Sequence, residues 1–147
     1  PQGSEPPTDG YEGILVATDS SEGSREATES AIEWADALSA ELHALYVVDS
    51  GLAHTDIVER ALEGEGASAT GEIERMAEAA GVGVTTAVKR GRPHEVICDY
   101  ATENDMDLIV VGSHGRDVIE RAVLGSVSER TVRMADRPVL VVRQPSE

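Results

Sequence analysis

Residues 107–116 read Asp107-Leu-Ile-Val-Val-Gly112-Ser113-His114-Gly115-Arg116, and after eight further residues the chain resumes at Gly125-Ser126-Val127-Ser128-Glu129. An unbroken Leu/Ile/Val run closed by glycine is the pattern of a strand covered on both faces, as in a parallel sheet. Working outward, similar short apolar runs recur at Gly13 to Thr18, Glu41 to Asp49, Val82 to Arg90 and Pro138 to Arg143. The first and last are also continuous. The third alternates Val82, Val84, Thr86 and Val88, as a half-exposed edge strand would.

Longer stretches of helical period lie between these runs, so the chain reads as successive βαβ units within one α/β domain, residues 11–143. Ala27, Ala31, Ala35 and Leu38 form one apolar stripe, and Val96, Ile97, Tyr100 and Ala101 another, with Pro93 suited to a first helical turn. A further stripe runs through Ile57, Ala61, Ile73, Met76, Ala77 and Ala80. Gly64, Gly66 and Gly71 interrupt it, and each interior glycine costs about 1 kcal/mol relative to alanine. The first half of that segment is expected to be loop or broken helix. For the last helix, Ser126 to Glu129 has capping-box spacing, and Asp136-Arg137-Pro138 marks the end. Residues 1–10 are expected to be a flexible leader and 144–147 a tail.

Right-handed crossovers give a doubly wound sheet with its ligand crevice at the carboxyl ends of the strands, where the winding reverses. If the first and fourth strands flank that point, Asp19 and Gly112 face each other. The glycines after the fourth strand lack the Cβ that would hold an oxyanion away. The start of the last helix offers N–H groups backed by the helix dipole. A phosphate chain can lie between Gly112 to Gly115 on one side and Gly125 and Ser126 on the other, with Arg116 supplying positive charge. The alternative is that the glycines only make turns and Ser126 only caps its helix.

The string Gly112-Ser-His-Gly115, nine residues, Gly125-Ser126, followed by Val127-Ser128-Glu129-Arg130 and Pro138-Val-Leu-Val-Val-Arg143, resembles the ATP-binding branch of the universal stress protein family. Ala17-Thr18-Asp19-Ser20-Ser21, Tyr46-Val47-Val48-Asp49 and Gly91-Arg92-Pro93 sit where that family has similar segments, and the likeness spans nearly all of residues 11–143. It implies a five-stranded parallel sheet of order 3-2-1-4-5, a homodimer, and ATP in the crevice. By that resemblance Ala17, Thr18, Asp19 and Val47 border the adenosine, with Asp19 near the ribose or a Mg²⁺ ion. Gly112, Gly115, Arg116, Gly125, Ser126 and Val127 hold the ribose and phosphates. The carboxylates at Glu22, Glu26, Asp117 and Glu120 depart from an anion site; they weaken phosphate binding or favour a Mg²⁺-bridged nucleotide. The function implied is a stress-response switch with at most slow hydrolysis. The other readings are AMP or a cyclic nucleotide as ligand, or a dimeric interaction protein that binds none.

Composition narrows the classes further. With 28 acidic residues against 12 basic in 147, the formal net charge is -16, and Lys89 is the only lysine. Such a field argues against nucleic acid and anionic membranes as partners. It suits molar salt, where a Debye length of about 3 Å removes most self-repulsion, and hence a halophilic origin. The single cysteine, Cys98, excludes an internal disulfide and suits a reducing, cytoplasmic setting. No apolar window reaches a membrane-spanning length. No G-x-x-x-x-G-K-[ST], early G-x-G-x-x-G or G-x-S-x-G occurs, so P-loop, dinucleotide-binding and α/β-hydrolase chemistry lack their motifs. His114 is expected to be a turn residue, and His54 with Asp56 gives only a faint metal pattern. Cys98 reads as a small buried side chain. The apolar last strand, Val139 to Val142, would lie at an edge, and pairing it with a second copy would remove an aggregation hazard.

Overall fold

The computed structural model describes residues 11–19, 22–51, 55–113 and 125–143. Along these the elements are β1 (Gly13–Thr18), α1 (Glu22–Leu38), β2 (Glu41–Asp49), α2 (Asp56–Ala79), β3 (Val84–Gly91), α3 (Pro93–Glu103), β4 (Leu108–Gly112), α4 (Ser126–Met134) and β5 (Val139–Val142). The strands form one parallel sheet in the order β3-β2-β1-β4-β5. This is the expected winding, reversed between β1 and β4. The expected leader and tail lie outside the described residues.

Helices cover both faces, which is why the central strands have no polar side. Ile14, Val16, Leu42, Ala44 and Val110 lie beneath Ala27, Ala31, Ile73 and Ala77 of α1 and α2. Leu15, Leu45, Ile109 and Val111 meet Ile97, Tyr100 and Ala101 of α3 on the other face. Each fully buried aliphatic side chain contributes about 1.5–3 kcal/mol relative to exposure. The alternating residues of one strand thus serve two cores.

Three expectations are corrected. First, α2 is continuous through Gly64, Gly66 and Gly71. Gly66 lies against the buried Tyr46 ring, where an added Cβ would stand 2.7 Å from Cδ1. The Tyr46 hydroxyl donates to Glu65 at 2.6 Å. Tertiary packing selects the glycine and offsets its poor helix propensity. Second, the inward face of the first half of α2 is Leu62, Gly66, Ala69 and Thr70, while Ile57 is 81% exposed and Ala61 and Ala80 are exposed too. Third, β3 starts at Val84, not Val82. The Val82 N–H returns to Ala77 O at 2.9 Å, and Gly81, at φ 75°, makes the turn that allows it.

Candidate functional site

The site is defined by where backbone ladders stop. β1 pairs with β2 as far as Thr18↔Tyr46, and β4 pairs with β5 as far as Gly112↔Val142, but β1 and β4 pair only from Ile14↔Leu108 to Val16↔Val110. Beyond Val16 and Val110 the two central strands are no longer paired. The end of that ladder puts Ala17, Thr18 and Asp19 on one side of the reversal of winding and Val111, Gly112 and Ser113 on the other. A ligand in an open α/β sheet sits at this reversal of winding.

On the β1 wall the chain end is organised by Ser24, in the first two turns of α1 and 5% exposed. Thr18 Oγ1 donates to Ser24 Oγ at 3.0 Å and the Asp19 N–H donates to it at 3.3 Å. Ser24 in turn donates to Asp19 Oδ1 at 3.1 Å. Thr28 Oγ1 donates to the Ser24 carbonyl at 2.9 Å. Ser24 was not among the residues expected from the sequence. Its signal is a serine facing inward among Ala27, Ala31 and Ala35, where an apolar residue would satisfy the helix pattern.

The β4 wall is tied by three bonds that converge on two residues. The Ser113 N–H donates to Val142 O at 2.8 Å, the Gly125 N–H donates to Ser113 O at 2.7 Å, and Ser128 Oγ donates to Gly112 O. The chain that departs at Ser113 therefore returns to the same point at Gly125. His114, Gly115 and Arg116, expected at the phosphates, lie outside the described residues, as do Asp117 and Glu120.

The capping expectation is corrected here. Gly125, not Ser126, is the N-cap of α4, in extended conformation and without a side-chain cap. Ser126 is exposed in the first turn, and Ser128 spends its hydroxyl on Gly112 rather than on the helix. The start of α4 thus presents first-turn N–H groups that no Gly125 side chain covers, beside the glycine that ends β4.

Ala17, Val47 and Val127 are partly buried against one cluster, on the α3 side of the sheet. They come from three separate elements that pack on that cluster. Thr18 and Asp19 follow Ala17 at the end of β1.

Other candidates have structural partners. His43 Nδ1 lies 2.7 Å from the Tyr100 hydroxyl. Burial raises the Tyr100 pKa above its ordinary value, and Glu41 adds to the effect. Cys98 is half-buried, and burial, then Asp99 and Asp136, push its thiol up, away from a reactive thiolate. Among the described residues no group of three or more His, Cys, Asp and Glu is placed to hold a metal, and His54 lies outside them. Among the same residues no helix is long and apolar enough to cross a membrane.

Comparison with known proteins agrees with the fold. Universal stress protein MJ0531 of Methanocaldococcus jannaschii is 38% identical over 144 residues, covering 93% of this chain and 85% of that protein. The universal stress protein UspA from Lactobacillus plantarum superposes with a TM-score of 0.80 at 32% identity, covering 90% of this chain and 98% of that one. A universal stress protein solved in complex with cAMP superposes with a TM-score of 0.67 at 29% identity, covering 91% and 98%. The model of the Universal stress protein family matches residues 10–143. With that match over nearly the whole chain, this chain belongs to the universal stress protein family.

Proposed function

We propose that the chain binds ATP in the crevice between β1 and β4 and works as a nucleotide-dependent stress-response switch with at most slow hydrolysis. The carrying observation is the β1/β4 ladder that ends at Val16↔Val110 while both strands continue with their outer neighbours. Ala17, Thr18, Asp19 and Val47 border the adenosine, with Asp19 near the ribose or Mg²⁺. Gly112, Gly125, Ser126 and Val127 take the phosphates, completed by Gly115 and Arg116. The first-turn N–H groups of α4, which the N-cap Gly125 does not cap with a side chain, fit an anion, because helix N-terminal donors act together with the positive end of the helix dipole.

The donor set suits Mg²⁺ only as part of a nucleotide complex. Asp19 supplies one carboxylate, and Mg²⁺ bound through one or two carboxylates takes its remaining ligands from phosphate and water. When bound, the ion neutralises phosphate charge; the chain's part is to hold Asp19. The residues named here bind and orient, and none is assigned to activate water, so the proposal is a switch rather than a fast catalyst.

AMP or a cyclic nucleotide is the second reading, favoured by the relative solved with cAMP. We further propose a cytoplasmic, salt-adapted homodimer that pairs through β5, an edge strand whose four residues are all partly exposed. Calorimetric titration of nucleotide-stripped protein in molar KCl, with and without Mg²⁺, tests the site. Saturable ATP binding near one per chain, competed weakly by cAMP, is expected. Absence of binding to every adenine nucleotide would leave the ligand-free interaction protein. Sedimentation in the same buffer reads the dimer, and dilution into low salt is expected to unfold it.

A further inference from the structure

The buried hydroxyl of Ser24 touches both residues that end β1. One serine hydroxyl offers one donor and two acceptor positions. Here the acceptor positions meet Thr18 Oγ1 at 3.0 Å and Asp19 N at 3.3 Å, and the donor meets Asp19 Oδ1 at 3.1 Å. All three of these contacts fall on adjacent residues of one strand end. Thr28 holds the Ser24 carbonyl from the next turn, and both residues are at most 5% exposed. A serine and a threonine on the inward face of an otherwise alanine-lined helix pack less apolar surface than alanine and valine would. Their placement follows the crevice wall, not the core.

We infer that Ser24 is a positioning residue that sets the Asp19 carboxylate for the nucleotide. The inference rests on the proposed ATP site. A carboxylate at a strand end has several staggered rotamers, and a ligand that needs one of them must otherwise supply the ordering free energy. The Ser24 hydroxyl bond to Oδ1 selects that rotamer before the ligand arrives. Its bond from the Asp19 N–H fixes the backbone at the point where β1 leaves β4. α1 therefore takes part in the site through one hydroxyl without touching the nucleotide.

The test compares wild type, Ser24→Ala, Ser24→Cys and Ser24→Thr by ATP titration with and without Mg²⁺, each with its thermal unfolding curve in the same molar KCl buffer. Ser24→Cys keeps the size and loses the strong hydrogen bond, so it serves if alanine disturbs folding. Wild-type binding, an affinity loss of about tenfold in the alanine and cysteine variants at little-changed melting temperature, and recovery in threonine are expected. A loss confined to the Mg²⁺ arm places the effect on the metal; a loss in both arms places it on the ribose. Unchanged affinity in both variants, with or without a lower melting temperature, overturns the positioning role and leaves the ATP site standing. Failure of wild type itself to bind overturns the site and the inference with it.

Discussion

The two halves of the sheet follow one construction to different ends. β2 and β3 stay paired from Leu42↔Val84 to Asp49↔Gly91, and the ladder is extended by the Ser50 N–H to Gly91 O at 3.0 Å. β1 and β4 stop after Val16↔Val110. Where winding continues in one direction, crossovers lie side by side and backbone groups satisfy one another to the strand ends. At the reversal, neighbouring crossovers leave in opposite directions, and the freed backbone must find other partners. It finds Ser24 on one wall and Ser128 and Gly125 on the other. A closed ladder holds the molecule together, whereas an opened one exchanges ladder bonds for side-chain bonds that a ligand can use.

The sharpest way to break this contrast is on the closed side. Gly66→Val drives a branched side chain into the Tyr46 ring, whose hydroxyl is held by Glu65, and is expected to cost about 3 kcal/mol through overpacking, which outweighs the small gain in helix propensity. Chemical denaturation measures it, and the affinity of the folded fraction for ATP stays as in wild type. A stability loss below 1 kcal/mol, estimated on the same overpacking scale, would mean that the glycine is not selected by that contact.

The open side responds differently. Ser128→Ala deprives the Gly112 carbonyl of its partner and is expected to cost about 1–2 kcal/mol, with a parallel loss of nucleotide affinity, because it loosens the glycine beside the phosphates. Equal affinity in wild type and variant would separate this bond from the site.

The smallest expected effect is in pH dependence, and it belongs to α3 on the closed half. Tyr100 and Cys98 have pKa values raised by burial above the ordinary 10.0 and 9.0. The unfolded chain therefore loses these protons first. Their contribution is present below about pH 9 and declines as pH rises through the unfolded and then the folded values. Denaturation midpoints recorded from about pH 8 to 11 should fall, and more shallowly in a Cys98→Ser/Tyr100→Phe double variant.

Much of the fold was legible because strands buried on both faces write themselves as continuous apolar runs. Ile14 to Val16 and Leu108 to Val111 are such runs, and every one of these residues is buried. α1 was legible for a related reason: Ala27, Ala31 and Ala35 recur at helical spacing and all face the core. α2 was not, since Gly64, Gly66 and Gly71 argue locally against a helix and only the Tyr46 ring, twenty residues earlier in the chain for Gly66, explains one of them. Similarly, the capping spacing at Ser126 to Glu129 is a local pattern, but Ser128 is claimed by Gly112 at the end of β4.

By itself the sequence determined the alternation of strands and helices, the acidic surface, and the glycine spacing that marks the family. These depend on periodicity and composition, which act along the chain. Which strand ends lose their pairing, that Ala17, Val47 and Val127 pack on one buried cluster, and that Ser24 serves Thr18 and Asp19 were decided only by tertiary structure. Those facts depend on the meeting of segments far apart in the chain or on the angle at which a helix leaves a strand, and no local free-energy preference encodes either.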